Sequence, residues 1–310
     1  MNKNSRIFLA GHKTMIGASF QGFFNKNGYT NIITASPCEL DLTDQLNVKQ
    51  FFFDKRPEYV ILAAGKSGGI LANMTCPVDF VYNNLQIQCN VIHFSWKSGV
   101  KKLLFLGSSC MYPHICPQPV REDCLLTGPL EPTSEPSAIS RIAGVKMCQA
   151  YNRQYGTSFI PVVPAGIYGP HDDFNLESSH VLAALLRKTL EAKEKSEKEV
   201  VIWGTGSPRR EFLYVDDLVE ACVLLMNRSR PLELINIGYG EDITIKELAQ
   251  LIKKIVGYKG DIRFDGTKPD GTAKKLLDSS NILKMGWKPK VSLKEGIEIT
   301  YKWYQQHKTG

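Results

Sequence analysis

The 310 residues carry 43% apolar and 22% charged side chains, ordinary values for a soluble globular chain. That length allows two domains, or one large α/β unit with an appendage. The net charge of +7 is mild and scattered apart from Lys253-Lys254 and Lys274-Lys275, which argues against a nucleic-acid partner while leaving a local excess for an anionic ligand.

Eight cysteines occur without a Cys-x-x-Cys pair, several of them inside apolar patterns, so a reducing compartment is expected rather than a disulfide framework. Cys110, His114 and Cys116 lack a second ligand pair and are interrupted by Pro113 and Pro117, so no metal site is expected. Nothing reads as a signal peptide and no apolar run is long enough to span a bilayer, which points to a cytoplasmic protein without membrane attachment.

In chain order, Arg6–Ala10 reads as a strand that runs into Gly11-His-Lys-Thr-Met-Ile-Gly17 and then a helix. Strand, glycine turn and helix open a dinucleotide-binding fold, with Gly11 making the tight turn and Gly17 allowing close helix packing. Thr14 stands at the middle position of Gly-x-x-Gly-x-x-Gly, where a β-branched side chain is expected to crowd a pyrophosphate. Asn31–Ala35 is a second strand and Lys49–Phe53 lies in a helix. Tyr59–Ala64 is a continuous apolar strand of the kind a doubly covered parallel sheet requires. Gly65-Lys-Ser-Gly-Gly69 is a flexible turn at its carboxyl end, where such sheets bind ligands. Asn84–Ser98 is a long helix, Leu103–Leu106 a buried strand, Ala138–Tyr151 a helix and Phe159–Val163 a further strand.

Beyond residue 165 the texture changes. A polar stretch, 171–180, precedes a helix through Leu182, Leu185 and Leu186, and Lys188–Lys198 reads as a solvated helix end. Val200–Trp203 is a strand, Asp216-Asp217 reads as the cap of a helix, and Lys246–Val256 and the C-terminal segment form further helices. The expected architecture is α/β: a doubly wound, parallel, Rossmann-like sheet over residues 1–165 and a smaller C-terminal α/β substrate domain over 166–310, interwoven so that 200–225 returns to the first domain.

Five stretches then carry a specific likeness: Gly107-Ser-Ser-Cys-Met-Tyr-Pro113, Leu126-Thr-Gly-Pro-Leu-Glu-Pro132, Asn175-Leu-Glu-Ser-Ser-His-Val181, Arg210-Glu-Phe-Leu and Lys268-Pro-Asp-Gly-Thr. Together, from Ile7 to about Ile297, the chain resembles the GDP-L-fucose synthases, extended short-chain dehydrogenase/reductases. That family epimerises GDP-4-keto-6-deoxymannose at C3 and C5 and then reduces C4 with NADPH. The resemblance implies that Cys110 and His180 are the epimerisation acid/base pair, that Ser108 hydrogen-bonds the C4 oxygen, and that Arg210 grips the diphosphate. Lys275, Trp203 and Asn175 are further substrate-side candidates. It also implies a two-fold homodimer through the helices at 84–98 and 138–151.

The reductase half departs from the family. Its Tyr-x-x-x-Lys falls on Ser137 and Arg141. A serine hydroxyl ends ~4 Å short of a tyrosine's, and an arginine can hold a ribose hydroxyl but has no proton to relay. The 2′-phosphate arginines align with Ala35 and Pro37, leaving Lys13 as one charge. NADP is the cofactor implied by the resemblance, at a site made of Gly11, Lys13, Thr14, Gly17 and Arg141, and its binding is expected to be weak or absent. The first reading is therefore an enzyme of a GDP-4-keto-6-deoxy sugar that keeps epimerisation and has impaired or lost reduction. Two alternatives stand beside it: a full synthase with a substitute proton donor such as Ser140 or Tyr112, and a non-catalytic partner of an active paralogue.

Overall fold

The apolar runs of the first half become strands of a parallel sheet covered on both faces. In the computed structural model, which describes residues 1–229 and 233–308, β1 (Ile7–Ala10) is buried along its length and turns directly into α1 (Met15–Lys26). β2 is shorter than the run 31–35 suggests, only Ile32–Ile33, because Ser36 closes a turn whose N–H donates to the Glu39 carboxylate at 2.7 Å. There follow α2 (Gln45–Lys55) and β3 (Tyr59–Leu62), then α3 (Ile70–Thr75) and α4 (Asn84–Lys97). β4 (Lys102–Leu106), α5 (Glu135–Tyr155) and β5 (Phe159–Pro164) complete the first half. α5 has a proline in its first turn and stops at Gly156, which is left-handed, two signals the sequence displays at both ends.

The second half begins with β6 (Gly166–Tyr168), α6 (Val181–Glu194), β7 (Glu199–Trp203) and β8 (Arg209–Tyr214). It continues through α7 (Val215–Asn227), β9 (Ile235–Ile237), β10 (Asp242–Thr244) and α8 (Ile245–Val256). β11 (Asp261–Asp265), β12 (Lys274–Lys275), α9 (Ser280–Lys284) and α10 (Leu293–His307) end the fold. Thr244 caps α8 with a reciprocal capping box: its hydroxyl accepts from the Glu247 N–H while Glu247 takes the Thr244 N–H.

The main sheet has six parallel strands in the order β2-β1-β3-β4-β5-β9, the doubly wound arrangement expected. Its order reverses between β1 and β3, so a ligand crevice opens above the carboxyl ends of these strands. A second core gathers β6, β8, α6, α8 and α10 around Tyr168, Leu186, Phe212, Leu248 and Ile297. The chain crosses between the cores. Of the stretch 200–225, β7 pairs with β11 in the second unit, whereas α7 packs on α1, β4 and β5; beyond that stretch, β9 adds the last strand of the main sheet.

Asp216 and Asp217 lie in the first turn of α7, whose cap position is Tyr214, so the expected cap is displaced by two residues. Asp217 is buried for another reason: its carboxylate accepts the N–H groups of Lys290 and Val291, both at 3.0 Å, and so ties the C-terminal segment to the sheet.

Candidate active site

The turn after β1 is built as a dinucleotide turn but is closed on itself. Gly11 has φ +88°, and a Cβ there would lie 2.6 Å from the Ala64 nitrogen; a Cβ on Gly17 would lie 2.0 Å from the Gly11 carbonyl oxygen. Gly17 is thus required by the close approach of α1 to the turn, and Gly11 by the close approach of the turn to the Ala63-Ala64 backbone after β3. Thr14 sits without strain at φ −73°, as the cap of α1. Its hydroxyl donates to the Gly11 carbonyl at 2.8 Å and accepts from the Gly17 N–H at 3.1 Å. One of the helix N-terminal donors that an incoming phosphate would use is therefore already satisfied. Beyond β2, Glu39 accepts from both the N–H and the hydroxyl of Ser36, and these bonds hold its carboxyl below the usual range, with Lys13 and His12 contributing further. A carboxylate thus lies in the region where the 2′-phosphate arginines are missing at Ala35 and Pro37.

The carboxyl end of β4 carries the next groups. Ser108 caps a short 3-10 turn, Ser109–Met111, that presents Cys110. Facing it, the Arg141 guanidinium donates to the Leu106 carbonyl at 3.1 Å, while its other terminal nitrogen approaches the backbone at Gly65, 3.1 Å from where a Cβ would stand. Arg141 thereby bridges the ends of β3 and β4. Solvent reaches it, yet protein surrounds it, as at the floor of a cleft; burial pushes its pKa down and the nearby Cys110 opposes that. Ser137, in the first turn of α5, is half-buried and offers no phenol. Ser140 is buried and donates to the Ser137 carbonyl at 2.8 Å. Tyr112 is buried and donates to Asn236 Oδ1 at 2.6 Å, with burial driving its phenol pKa far up.

His180 arrives from the other side, at the cap position of α6. The loop before it is knotted by its own polar groups: the Glu177 N–H donates to Asn175 Oδ1 at 3.0 Å, and the Ser179 N–H donates to the Asn175 carbonyl at 2.7 Å. Asn175 therefore shapes the loop that aims His180. The loop docks on the turn after β3, where the Gly69 N–H donates to the Ser178 carbonyl at 2.8 Å. A Cβ on Gly69 would stand 2.5 Å from the Ser179 carbonyl oxygen, so glycine is needed for this approach. His180 Nε2 lies 3.1 Å from the Ser67 hydroxyl. The ring is open to solvent but enclosed by protein, and burial pushes its pKa down against the opposing pull of Asp173.

Two further cations come from the second half. Arg210 donates to the Arg209 carbonyl at 2.8 Å and to the Asp270 carbonyl at 3.3 Å, which fixes its fork at the start of β8. Lys275, on the neighbouring strand β12, lies within electrostatic reach of Cys110, Arg210, Glu131 and His180. Burial pushes both cations down. Glu131 balances them: burial works against its ionisation, but bonds from Thr133 and the 2.5 Å pair with His114 hold its carboxyl below the usual range. Trp203 is 43% exposed at the end of β7, with Lys268 5.4 Å above its ring, and the following turn is fastened by the Thr205 N–H donating to Asp270 at 2.8 Å. Charge interactions join Arg141 to Cys110, and Lys275 to Cys110, Arg210 and His180, while Ser108 caps the turn that carries Cys110, so these six groups are neighbours. Sequence reasoning had given no site role to Ser67, Glu131 or His114: Ser67 lay in a turn already marked as ligand-facing, Glu131 in one of the family-like stretches, and His114 was considered only as a metal ligand. No group of three or more His, Cys, Asp or Glu side chains able to hold a metal occurs among the described residues.

Comparison with known proteins follows this geometry. Residues 7–238 match the NAD dependent epimerase/dehydratase family. The chain is 54% identical to GDP-L-fucose synthase 1 of Arabidopsis thaliana over 303 residues, covering 98% of this chain and 94% of that one. A GDP-6-OMe-4-keto-L-xylo-heptose reductase from Campylobacter jejuni superposes with a TM-score of 0.94 at 39% identity, over 99% of each chain. A GDP-mannoheptose C4 reductase from the same organism, solved with NADP bound, superposes with a TM-score of 0.89 at 40% identity, over 98% of this chain and 99% of that one.

Proposed function

The chain belongs to the GDP-L-fucose synthases, within the NAD dependent epimerase/dehydratase family, and on that footing we propose that it is a 3,5-epimerase of a GDP-4-keto-6-deoxy sugar with impaired or lost C4 reduction. One observation carries this reading. Cys110, Lys275, Arg210 and His180, the residues the family likeness assigns to proton transfer and diphosphate binding, lie within electrostatic reach of one another, while the positions of the hydride-transfer pair hold Ser137 and Arg141. NADP belongs to the family, but the residues here fit it poorly: Thr14 caps α1 in the phosphate's place, and Glu39 stands where arginines are absent.

The chemistry needs no nicotinamide. A proton beside the C4 ketone is removed, the electron pair moves onto the C4 oxygen, and a proton returns to the opposite face of the carbon. Cys110 and His180 exchange those protons, Ser108 donates to the C4 oxygen, and Arg210 with Lys275 holds the diphosphate. Trp203 is assigned to the nucleotide side of the cleft and Asn175 to shaping its mouth.

The names of the relatives favour a second reading, a complete synthase, since a 54% identical protein spanning nearly the whole chain is called one. That reading needs a hydroxyl to protonate the C4 alkoxide. Ser140 and Tyr112 are engaged elsewhere, which leaves Ser108. A non-catalytic partner is the third. A single experiment separates them: the protein is held in D2O with GDP-4-keto-6-deoxymannose, with and without NADPH. Deuterium at C3 and C5 without NADPH, and no NADPH oxidation, is the expected result. Steady NADPH oxidation would establish the complete synthase, and binding without exchange would leave only the partner role.

We also propose a two-fold homodimer through α4 and α5. Ile139 and Tyr155 are 45% and 44% exposed on α5, and Tyr82 is 57% exposed just before α4. Light scattering at micromolar concentration should report twice the chain mass; a monomer would remove the proposal. The eight free cysteines support a reducing, cytoplasmic setting, which fractionation of the source cells checks. No helix among the described residues is long and apolar enough to cross a membrane.

A further inference from the structure

Arg141 stands where the family's resemblance gives a lysine for the nicotinamide ribose, but its surroundings suit another task. It has five N–H donors, and among the described residues its one hydrogen bond goes to the Leu106 carbonyl. None of its nitrogens is sealed from solvent without a partner, so the remaining donors reach solvent. No carboxylate lies within salt-bridge distance of it among the described residues. A guanidinium enclosed by protein and left without an acidic partner is costly. A negative charge arriving beside it would offset that cost.

The anchor holds the guanidinium at the carboxyl end of β4, the strand that leads into Ser108 and Cys110. Leu106 is two residues before Ser108, the group assigned to the C4 oxygen, and Cys110 lies within electrostatic reach of Arg141. We propose that Arg141 is a catalytic residue of the epimerisation, donating to the C4 oxygen as it becomes an enolate. The inference rests on the epimerase reading above. In each half-reaction a C–H bond at C3 or C5 breaks, its proton passes to the base, and its electron pair forms the C=C bond while the C4=O pair moves to oxygen. Arg141 and Ser108 hold that oxyanion until the acid delivers a proton to the other face. Nothing is oxidised or reduced, and because the guanidinium remains charged throughout, Arg141 needs no proton relay.

This assignment separates cleanly from ribose binding, because the exchange assay contains no nicotinamide. Arg141→Met should lower the rate of deuterium incorporation into saturating GDP-4-keto-6-deoxymannose by about 10²–10³-fold, the usual loss for one oxyanion donor. GDP affinity by calorimetry should stay within about 3-fold, which also shows that the cleft has folded. Should Arg141→Met be insoluble, Arg141→Lys serves. It keeps the charge but loses the fork, and an intermediate loss in exchange rate is expected. Exchange at the wild-type rate in a folded variant would overturn the proposal. So would a loss confined to GDP affinity, which would make Arg141 a diphosphate clamp. Absence of exchange in the wild-type protein would instead overturn the epimerase reading itself.

Discussion

Cys110→Ser should slow nicotinamide-free deuterium incorporation by about 10²–10⁴-fold, and His180→Gln should do the same within that range. The two groups reach the cleft from different elements, Cys110 from the turn after β4 and His180 from the cap of α6, as an acid and a base on opposite faces of a sugar ring require. Gln keeps hydrogen-bonding capacity toward Ser67 but cannot exchange a proton with carbon, so it separates chemistry from positioning. The pH dependence follows from the surroundings of His180. A neutral imidazole with a thiol, and an imidazolium with a thiolate, carry the same number of protons, so either assignment of roles gives one active protonation state of the pair. Burial pushes the His180 pKa down, so that state persists as pH falls through the ordinary histidine value. The acid limb of the exchange rate should therefore lie below about pH 6.5. A limb at or above that value would mean that burial does not govern His180. A Cys110→Ser or His180→Gln protein that exchanges at the wild-type rate would remove that residue from the mechanism.

The fold was legible where one physical signal dominated. Leu103–Leu106 and Phe159–Val163 are short apolar runs that can only be buried strands of a covered sheet, and both are central in it. β12 was not legible. Two adjacent lysines suggest a solvated turn, and only parallel pairing with Arg209 and Arg210 of β8 makes them a strand. The cap of α7 failed for a related reason. Asp217 looks like a local helix signal, but its carboxylate serves Lys290 and Val291, more than seventy residues away. In the site, Cys110, His180 and Arg210 were accessible through their surrounding motifs. Ser67 was not, because its contact with His180 spans 113 residues of chain. At Thr14 the sequence suggests only a steric effect on a pyrophosphate; the structure adds that its hydroxyl caps α1, a role a β-branched residue in a glycine motif does not advertise.

Rebuilding reduction should consequently need changes in two places at once. Ser137→Tyr with Arg141→Lys restores a phenol at the head of α5 and a relay lysine one turn later, a general-acid contribution of about 10²–10⁴-fold. Alone, that pair should give little NADPH oxidation, because the cofactor still meets a capped helix and the Ser36–Glu39 turn. Thr14→Gly frees the Gly17 N–H for the pyrophosphate, and Ala35→Arg adds a charge-assisted bond to the 2′-phosphate worth about 1.5–3 kcal/mol. The four changes together should produce NADPH oxidation with GDP-4-keto-6-deoxymannose, followed by loss of absorbance at 340 nm, at least 10²-fold above either pair alone. They should also lower nicotinamide-free exchange, because Arg141→Lys weakens the proposed enolate donor while it restores the relay. Gain of reduction and loss of exchange in the same protein would show that one position serves only one of the two reactions well. If Ser137→Tyr with Arg141→Lys alone oxidised NADPH as fast as the fourfold variant, the cofactor site would be intact. Tight NADPH binding by the unmodified protein in calorimetry would lead to the same conclusion, and the argument from Thr14 and Glu39 would fall.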